Sequence, residues 1–333
     1  MTSPSDDLGP GAGTPEAAAY PSGISNLPTP ARLTVGVISA GRVGTALAEA
    51  LEQAGHVVGA VVARSDESRR RATSRLPESQ ILDLPDVVAR AELLLLAVPD
   101  AALPEVIDEI AGSGALRPNT LVAHTAGAKG VGVLAPLASL GALPLAIHPA
   151  MTFVGSADDT ARIRQACFGV TAGDELGYAI AQSLVLEMGG EPVRIGEADR
   201  VLYHAALAHG ANHLITLISD AVTALNAAIE GGAGSSGRAA ATVDGSGTLL
   251  AERILGPLVT ASLQNVLELG SDALTGPVAR GDAAAVTDHL TALRALSPGS
   301  DTTDVAEAYR VLARRTADYT DAPAEVLDAL ETS

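Results

Sequence analysis

The chain has 333 residues, enough for two domains of ordinary size and a substantial buried core. Its formal net charge of −18 argues against nucleic acid and anionic membrane as partners, because both select a basic face. Aromatic residues make up only 2%, so the core must be built from Leu, Val, Ile and Ala, and one cysteine, Cys167, excludes an intramolecular disulfide framework and a multi-cysteine zinc site.

Residues 1–30 are rich in Pro, Gly, Ser and Asp and lack the charged-then-apolar order of an export signal. No apolar run approaches the ~20 residues needed to span a bilayer. These features predict a disordered leader on a cytoplasmic protein with no membrane partner. The first strong pattern follows at residues 33–48. Thr34 to Ile38 form a β-branched run that reads as a buried strand, and Val43, Leu47, Ala50 and Leu51 recur at helical spacing. Between them Gly41 and Gly44 allow a tight turn in which a pyrophosphate can lie against bare backbone at a helix N-terminus. The first glycine of the usual dinucleotide fingerprint is replaced by Ser39, which the turn tolerates if its backbone keeps a negative φ. Ser39, Ala40, Gly41, Arg42, Val43 and Gly44 are therefore candidate cofactor contacts.

A second buried strand over residues 56–63 ends in Arg64 and Ser65, about twenty residues beyond the glycine turn. An NAD-binding chain would carry Asp or Glu there for the ribose hydroxyls. Arginine and serine, with Ser68, Arg69 and Arg70 close behind, suit a 2′-phosphate instead, which favours NADP(H) over NAD(H). The same arginines could simply coat a solvated helix. Residues 91–98 are an unbroken apolar run, as expected of a parallel strand buried on both faces, and they stop at Pro99. Strands over 120–123 and 143–147 end in His124-Thr125 and in His148. Alternating strands and helices predict a Rossmann-type, mostly parallel sheet, whose ligands sit beyond the carboxyl ends of the strands. That topology puts Val98, Pro99, His124, Thr125 and His148 on the functional edge, where each histidine either braces a loop or acts as a proton donor.

After one more strand–helix–strand extension, over 168–195, the strands stop. Long helical patterns cover 198–229 and 248–270, and shorter ones 283–294 and 304–318, with a glycine-rich tract at 231–237. The first of these helices spreads polar groups through apolar sequence: Arg200 and His204 lie about 40° apart around the axis, His204 and Asn212 about 80°, so the three can face one cleft, with Tyr203 on the opposite side from Asn212. His209 and His213 stand four apart without an adjoining glutamate, a poor metal site that better suits a helix contact or dimer interface, so no metal is expected. Gly276 and Gly281 read as helix stops and Asp282 as an N-cap.

The order of these segments carries a resemblance. The turn at 39–44, Ala-Val-Pro-Asp at 97–100, His-Thr-Ala-Gly at 124–127, Ile-His-Pro at 147–149, Tyr-His-Ala-Ala at 203–206 with Asn212, and Leu-Thr-Gly-Pro at 274–277 with Arg280 and Asp282 together resemble a family of bacterial Rossmann-like proteins. Their helical C-terminal half is a domain of unknown function. The family looks like a branch of the 6-phosphogluconate dehydrogenase-like group, with ketopantoate reductase and pyrroline-5-carboxylate reductase as relatives. The pattern of segments divides the chain into a leader over 1–30, a dinucleotide-binding domain over 31–196 and a helical domain over 197–330, to which the resemblance, running from about 31 to 318, assigns substrate binding and dimerisation. It implies an NADPH-dependent reductase of a small carbonyl or imine acid, with ketopantoate as the first guess, working as a homodimer. The Lys-x-x-x-Asn pair of ketopantoate reductase and the hydroxyacid dehydrogenases is missing, since Ala208 stands four residues before Asn212. The proton donor then falls to His204 or His148, with Asn212 and Thr125 as hydrogen-bonding partners of the reacting group and Arg200 holding a carboxylate. A non-catalytic NADP(H)-binding regulator is the alternative reading.

Overall fold

The computed structural model describes residues 32–232, 250–296 and 305–332; the leader over 1–30 and most of the 231–237 tract lie outside the described residues. The chain divides into two compact units, residues 1–203 and 204–333.

The first unit begins β1 (Thr34–Ile38), α1 (Arg42–Gln53), β2 (Val57–Val62), α2 (Asp66–Arg75), β3 (Gln80–Ile81), α3 (Leu84–Arg90), β4 (Leu93–Leu96). It continues α4 (Leu103–Ser113), β5 (Leu121–His124), α5 (Ala135–Ala138), β6 (Leu143–Pro149), α6 (Asp158–Ile163), β7 (Cys167–Ala172), α7 (Glu175–Glu187) and β8 (Glu191–Arg194). The eight strands form one sheet in the order β3-β2-β1-β4-β5-β6-β7-β8. All neighbours are parallel except β6 and β7, so the last two strands run against the rest. The mostly parallel Rossmann-type sheet expected from the sequence is the one observed, and the chain order reverses direction across the sheet at β1 and β4, the switch point where such folds bind ligands.

The burial of β4 explains its unbroken leucine run. Leu93 and Leu95 enter one core cluster, with Val35, Val37 and Leu47, while Leu94 and Leu96 enter the opposite one, with Ile38, Val88 and Ile107. A strand covered by helices on both faces has no polar side to show. Local chemistry fixes the helix starts: Ser65 caps α2 in a reciprocal box with Ser68, Asp174 accepts from Gly177 N–H at the start of α7, and Pro104 sits in the first turn of α4.

The second unit is all helical. It contains most of α8 (Arg200–Gly232), α9 (Leu250–Leu269), α10 (Ala283–Arg294), α11 (Val305–Thr320) and α12 (Ala324–Thr332). Gly276 and Gly281 take the positive φ expected of chain reversals, and Asp282 caps α10 through Ala285 N–H. The buried cluster of this unit is small and comes from α10, α11 and α12, with Val286, Leu290, Ala313, Val326 and Leu330, and from Val278 in the segment before α10. The unit boundary falls after Tyr203 because Arg200 and Tyr203, on the first turn of α8, pack onto β6 and β7.

Candidate functional site

The glycine turn joins β1 to the N-terminus of α1 as expected, with one departure. Ser39 has φ of 81°, so the expectation that it would keep a negative φ is corrected. An L-residue there is strained by about 1–2 kcal/mol. What holds it is the tight exit from β1: the N–H groups of Ser39 and Ala40 both donate to Val62 O, at 3.2 and 3.1 Å. The Ser39 carbonyl then comes so close to Gly44 that a Cβ on Gly44 would stand 2.2 Å from it. Gly44 is thus required by close approach, and Gly41, extended at φ −74° and ψ −169°, is the N-cap of α1.

A cavity of about 290 Å³ opens over this turn, lined by Ser39, Gly41, Arg64, Ser65, Val98 and Pro99 among the expected residues. It also takes in Glu67, Ser68 and Arg71 from α2 and Val106 from α4. Ser65 and Ser68 present hydroxyls at the N-terminus of α2, a place suited to an anion, and Arg64 and Arg71 supply guanidinium groups. Apolar walls, bare backbone at one end and two cations with two hydroxyls at the other fit a dinucleotide that carries a ribose phosphate.

Farther along the carboxyl edge, β5 and β6 end in two histidines with different surroundings. His124 is fully buried: its Nε2 lies 3.0 Å from Gly130 O and its Nδ1 accepts from Ala126 N–H at 3.2 Å. Burial pushes its pKa down to about 4, so the ring is neutral, with Nε2–H donating to the carbonyl. Both nitrogens brace the loop after β5. The expectation that His124 contacts cofactor is therefore corrected, because neither nitrogen is available to a ligand.

His148 is only partly buried, and its Nδ1 lies 3.0 Å from the hydroxyl of Tyr203, the two rings meeting edge to face. The antiparallel register pairs His148 with Gly169, and a Cβ on Gly169 would stand 2.6 Å from the Tyr203 hydroxyl. The missing side chain on β7 is what lets the phenol reach the imidazole. Burial raises the Tyr203 pKa, so the phenol keeps its proton, and its oxygen shares one hydrogen bond with Nδ1. Arg200 stands one turn earlier and is 1% exposed; its Nε donates to Thr171 Oγ1 at 2.8 Å and its Nη2 to the carbonyls of Ala146 at 2.8 Å and Gly169 at 3.1 Å. The expectation that Arg200 holds a substrate carboxylate is corrected: as the first residue of α8 it folds back onto the sheet and ties the helix to β6 and β7.

Comparison with known proteins gives the same division of the chain. Residues 19–149 match the Rossmann-like domain and residues 166–316 match a domain of unknown function, DUF2520. The chain thus carries a Rossmann-like domain followed by a domain that matches DUF2520. No curated protein matches it. Among solved structures it is similar to a candidate NADP oxidoreductase of Bacteroides fragilis, 22% identical over 86% of this chain and 98% of that one, with a TM-score of 0.67. A protein of Thermotoga maritima is 18% identical over 86% and 98% of the two chains, TM-score 0.58, and a reductive aminase of Aspergillus terreus in complex with NADPH is 17% identical over 89% and 98%, TM-score 0.59.

The structure brings six of the expected cofactor residues to one cavity and leaves others off its walls. Ala40 is fully buried, Arg42 is exposed and packs beside Gly155, and Val43 and Gly44 face the interior of the turn. Thr125 is half-buried at the end of β5. His204 and Asn212 belong to the second unit, His204 half-buried and Asn212 exposed. His209 and His213 pair with each other, their Nδ1 atoms 2.8 Å apart. Sequence reasoning missed Arg71 and Tyr203. Arg71 had a readable signal, since it stands three residues after Ser68 on the same face of α2. Tyr203 had none, because its partner lies 55 residues earlier.

Proposed function

We propose that this protein is an NADPH-dependent reductase of a small carbonyl or imine compound. The observation that carries the reading is the cavity over the Ser39–Gly44 turn, whose far wall combines Arg64, Ser65, Ser68 and Arg71. Similarity to solved structures named imine reductase and reductive aminase supports C=N as well as C=O acceptors. NADPH, when bound, supplies the hydride. The chain must then bind the dinucleotide, exclude water and deliver one proton to the developing amine or alkoxide. Tyr203 is the residue for that last role, because its hydroxyl keeps its proton and His148 at 3.0 Å can resupply it. Thr125, at the end of the strand beside β6, is a further hydrogen-bonding group for the reacting atom. Arg200 serves by holding Tyr203 in register, not by touching substrate.

Two copies pair through the helical half. Support comes from α9, where Leu258, Leu263, Val266, Leu267 and Leu269 are all exposed, an apolar face too large for single scattered leucines. The experiment is NADPH fluorescence titration followed by turnover with a panel of 2-oxo acids, ketopantoate among them, and cyclic imines. NADPH should bind more tightly than NADH, at least one panel member should oxidise it, and Tyr203→Phe and His148→Ala should each lower kcat by about a hundredfold with NADPH affinity kept. Equal affinity for both cofactors, or no binding, overturns the reading. Tight binding with no oxidation across the panel favours the regulator.

A further inference from the structure

The cation-bearing wall of the cavity carries its own anions. Arg71 is ion-paired with Glu67 one turn earlier on α2, and the Glu67 side chain lines the same cavity. Arg64 is ion-paired with Glu109 of α4 at 2.6 Å. Arg64 and Glu109 also border a second, more polar cavity of about 220 Å³ that includes Arg69 and Asp83. The two arginines thus reach the cavity already partnered, each by a carboxylate from a different helix.

We propose that Glu67 and Glu109 are specificity-determining residues that restrain the preference for the 2′-phosphorylated cofactor. The proposal rests on the reading of this cavity as a dinucleotide site. A phosphate dianion has to displace each carboxylate from its guanidinium and then sit beside it, and both effects oppose binding. A ribose 2′-hydroxyl is neutral, needs neither arginine and can donate to Glu67, so it feels no such opposition. The arrangement is suited to exchange. Arg71 is held low in the groove, 15% exposed and donating to Ala40 O at 3.4 Å, whereas Glu67 is 68% exposed and free to swing outward. The Arg64–Glu109 pair is exposed on both sides, and such pairs are weak and exchange readily. The site therefore accepts NADPH while retaining measurable affinity for NADH, and the two glutamates set the ratio.

The experiment compares the full chain with Glu67→Gln, Glu109→Gln and the double variant. Affinities are measured for NADPH and NADH by fluorescence, and for 2′,5′-ADP and 5′-AMP by calorimetry. NADPH and 2′,5′-ADP should bind several-fold tighter to each single variant and about tenfold tighter to the double variant, with NADH and 5′-AMP within about twofold of the wild type. Glu67 also sits in the first turn of α2, so melting curves accompany each variant; Glu109→Gln, far from that turn, carries the test if Glu67→Gln loosens the helix. Unchanged NADPH affinity in the double variant, or equal gains for both cofactors, overturns the proposal and leaves the dinucleotide reading intact. Absence of saturable binding of NADPH and 2′,5′-ADP by the wild type overturns both.

Discussion

The two units use the same apolar residue types to different ends. In the sheet unit, Val35, Val37, Leu94 and Ile110 are completely buried. In the helical unit, Ile215, Leu258, Leu267 and Leu269 are 59–78% exposed, and the buried cluster is drawn from α10, α11, α12 and Val278 in the segment before α10. Burying one such side chain contributes about 1.5–3 kcal/mol. Against a net stability of about 5–15 kcal/mol for a domain, several uncovered leucines on one helix are a large sum. Hydrophobic content therefore reports that a core is wanted, not that one chain completes it.

The sharpest way to break this contrast is to place a carboxylate in each kind of site. Val37→Asp, in β1, should lose about 4 kcal/mol or more by urea unfolding, because the charge has no partner in the core. Leu267→Asp should leave folding of the sheet unit intact but change the mass measured by light scattering from two copies to one. An unchanged mass would sink the pairing proposal. Next in size, Gly44→Ala forces a Cβ to 2.2 Å from Ser39 O and should destabilise the chain by about 1–3 kcal/mol while weakening NADPH binding at least tenfold.

The buried His124 makes a pH prediction. Its folded pKa of about 4 lies below the 6.5 of an unperturbed histidine, so between those values the unfolded chain binds the extra proton. Stability is complete above about pH 6.5 and falls as pH drops toward 4, by up to about 3 kcal/mol. His124→Gln should flatten that part of the stability profile measured by denaturant melts. The smallest effect is a gain: Ser39→Gly should stabilise the sheet unit by about 1 kcal/mol, since glycine accepts a φ of 81° without strain. A loss would mean that the Ser39 hydroxyl matters more than its backbone.

The glycine turn, the leucine run of β4 and the cap at Asp282 were legible because each depends on neighbours within a few residues. That Arg64 and Ser65 stand at the edge of the sheet was legible for the same reason, since they follow β2 directly. The fate of His124 was not, since neutrality comes from burial and from the Gly130 carbonyl, which the loop brings back to it. Arg200 looked like a substrate anchor on a helical wheel, yet its acceptors are strand carbonyls 54 and 31 residues earlier and the Thr171 hydroxyl 29 residues earlier. A wheel places residues around one axis and is silent about a sheet lying against the first turn. α3 and α12 were also missed, both too short to establish a periodic pattern.

The reversal between β6 and β7 has a consequence for how such a site is inherited. Opposed residues in an antiparallel ladder meet directly, so the bare spot at Gly169 lies across from His148, and the phenol of Tyr203 drops into the gap. Sliding β7 by a single position would offer Phe168 or Val170 instead and turn every side chain to the other face. Placement of the aromatic hydroxyl is thus decided by strand alignment rather than by the helix that bears it, and an insertion in the turn joining β6 to α6 or α6 to β7 that shifted this alignment would part Tyr203 from His148 without altering either residue.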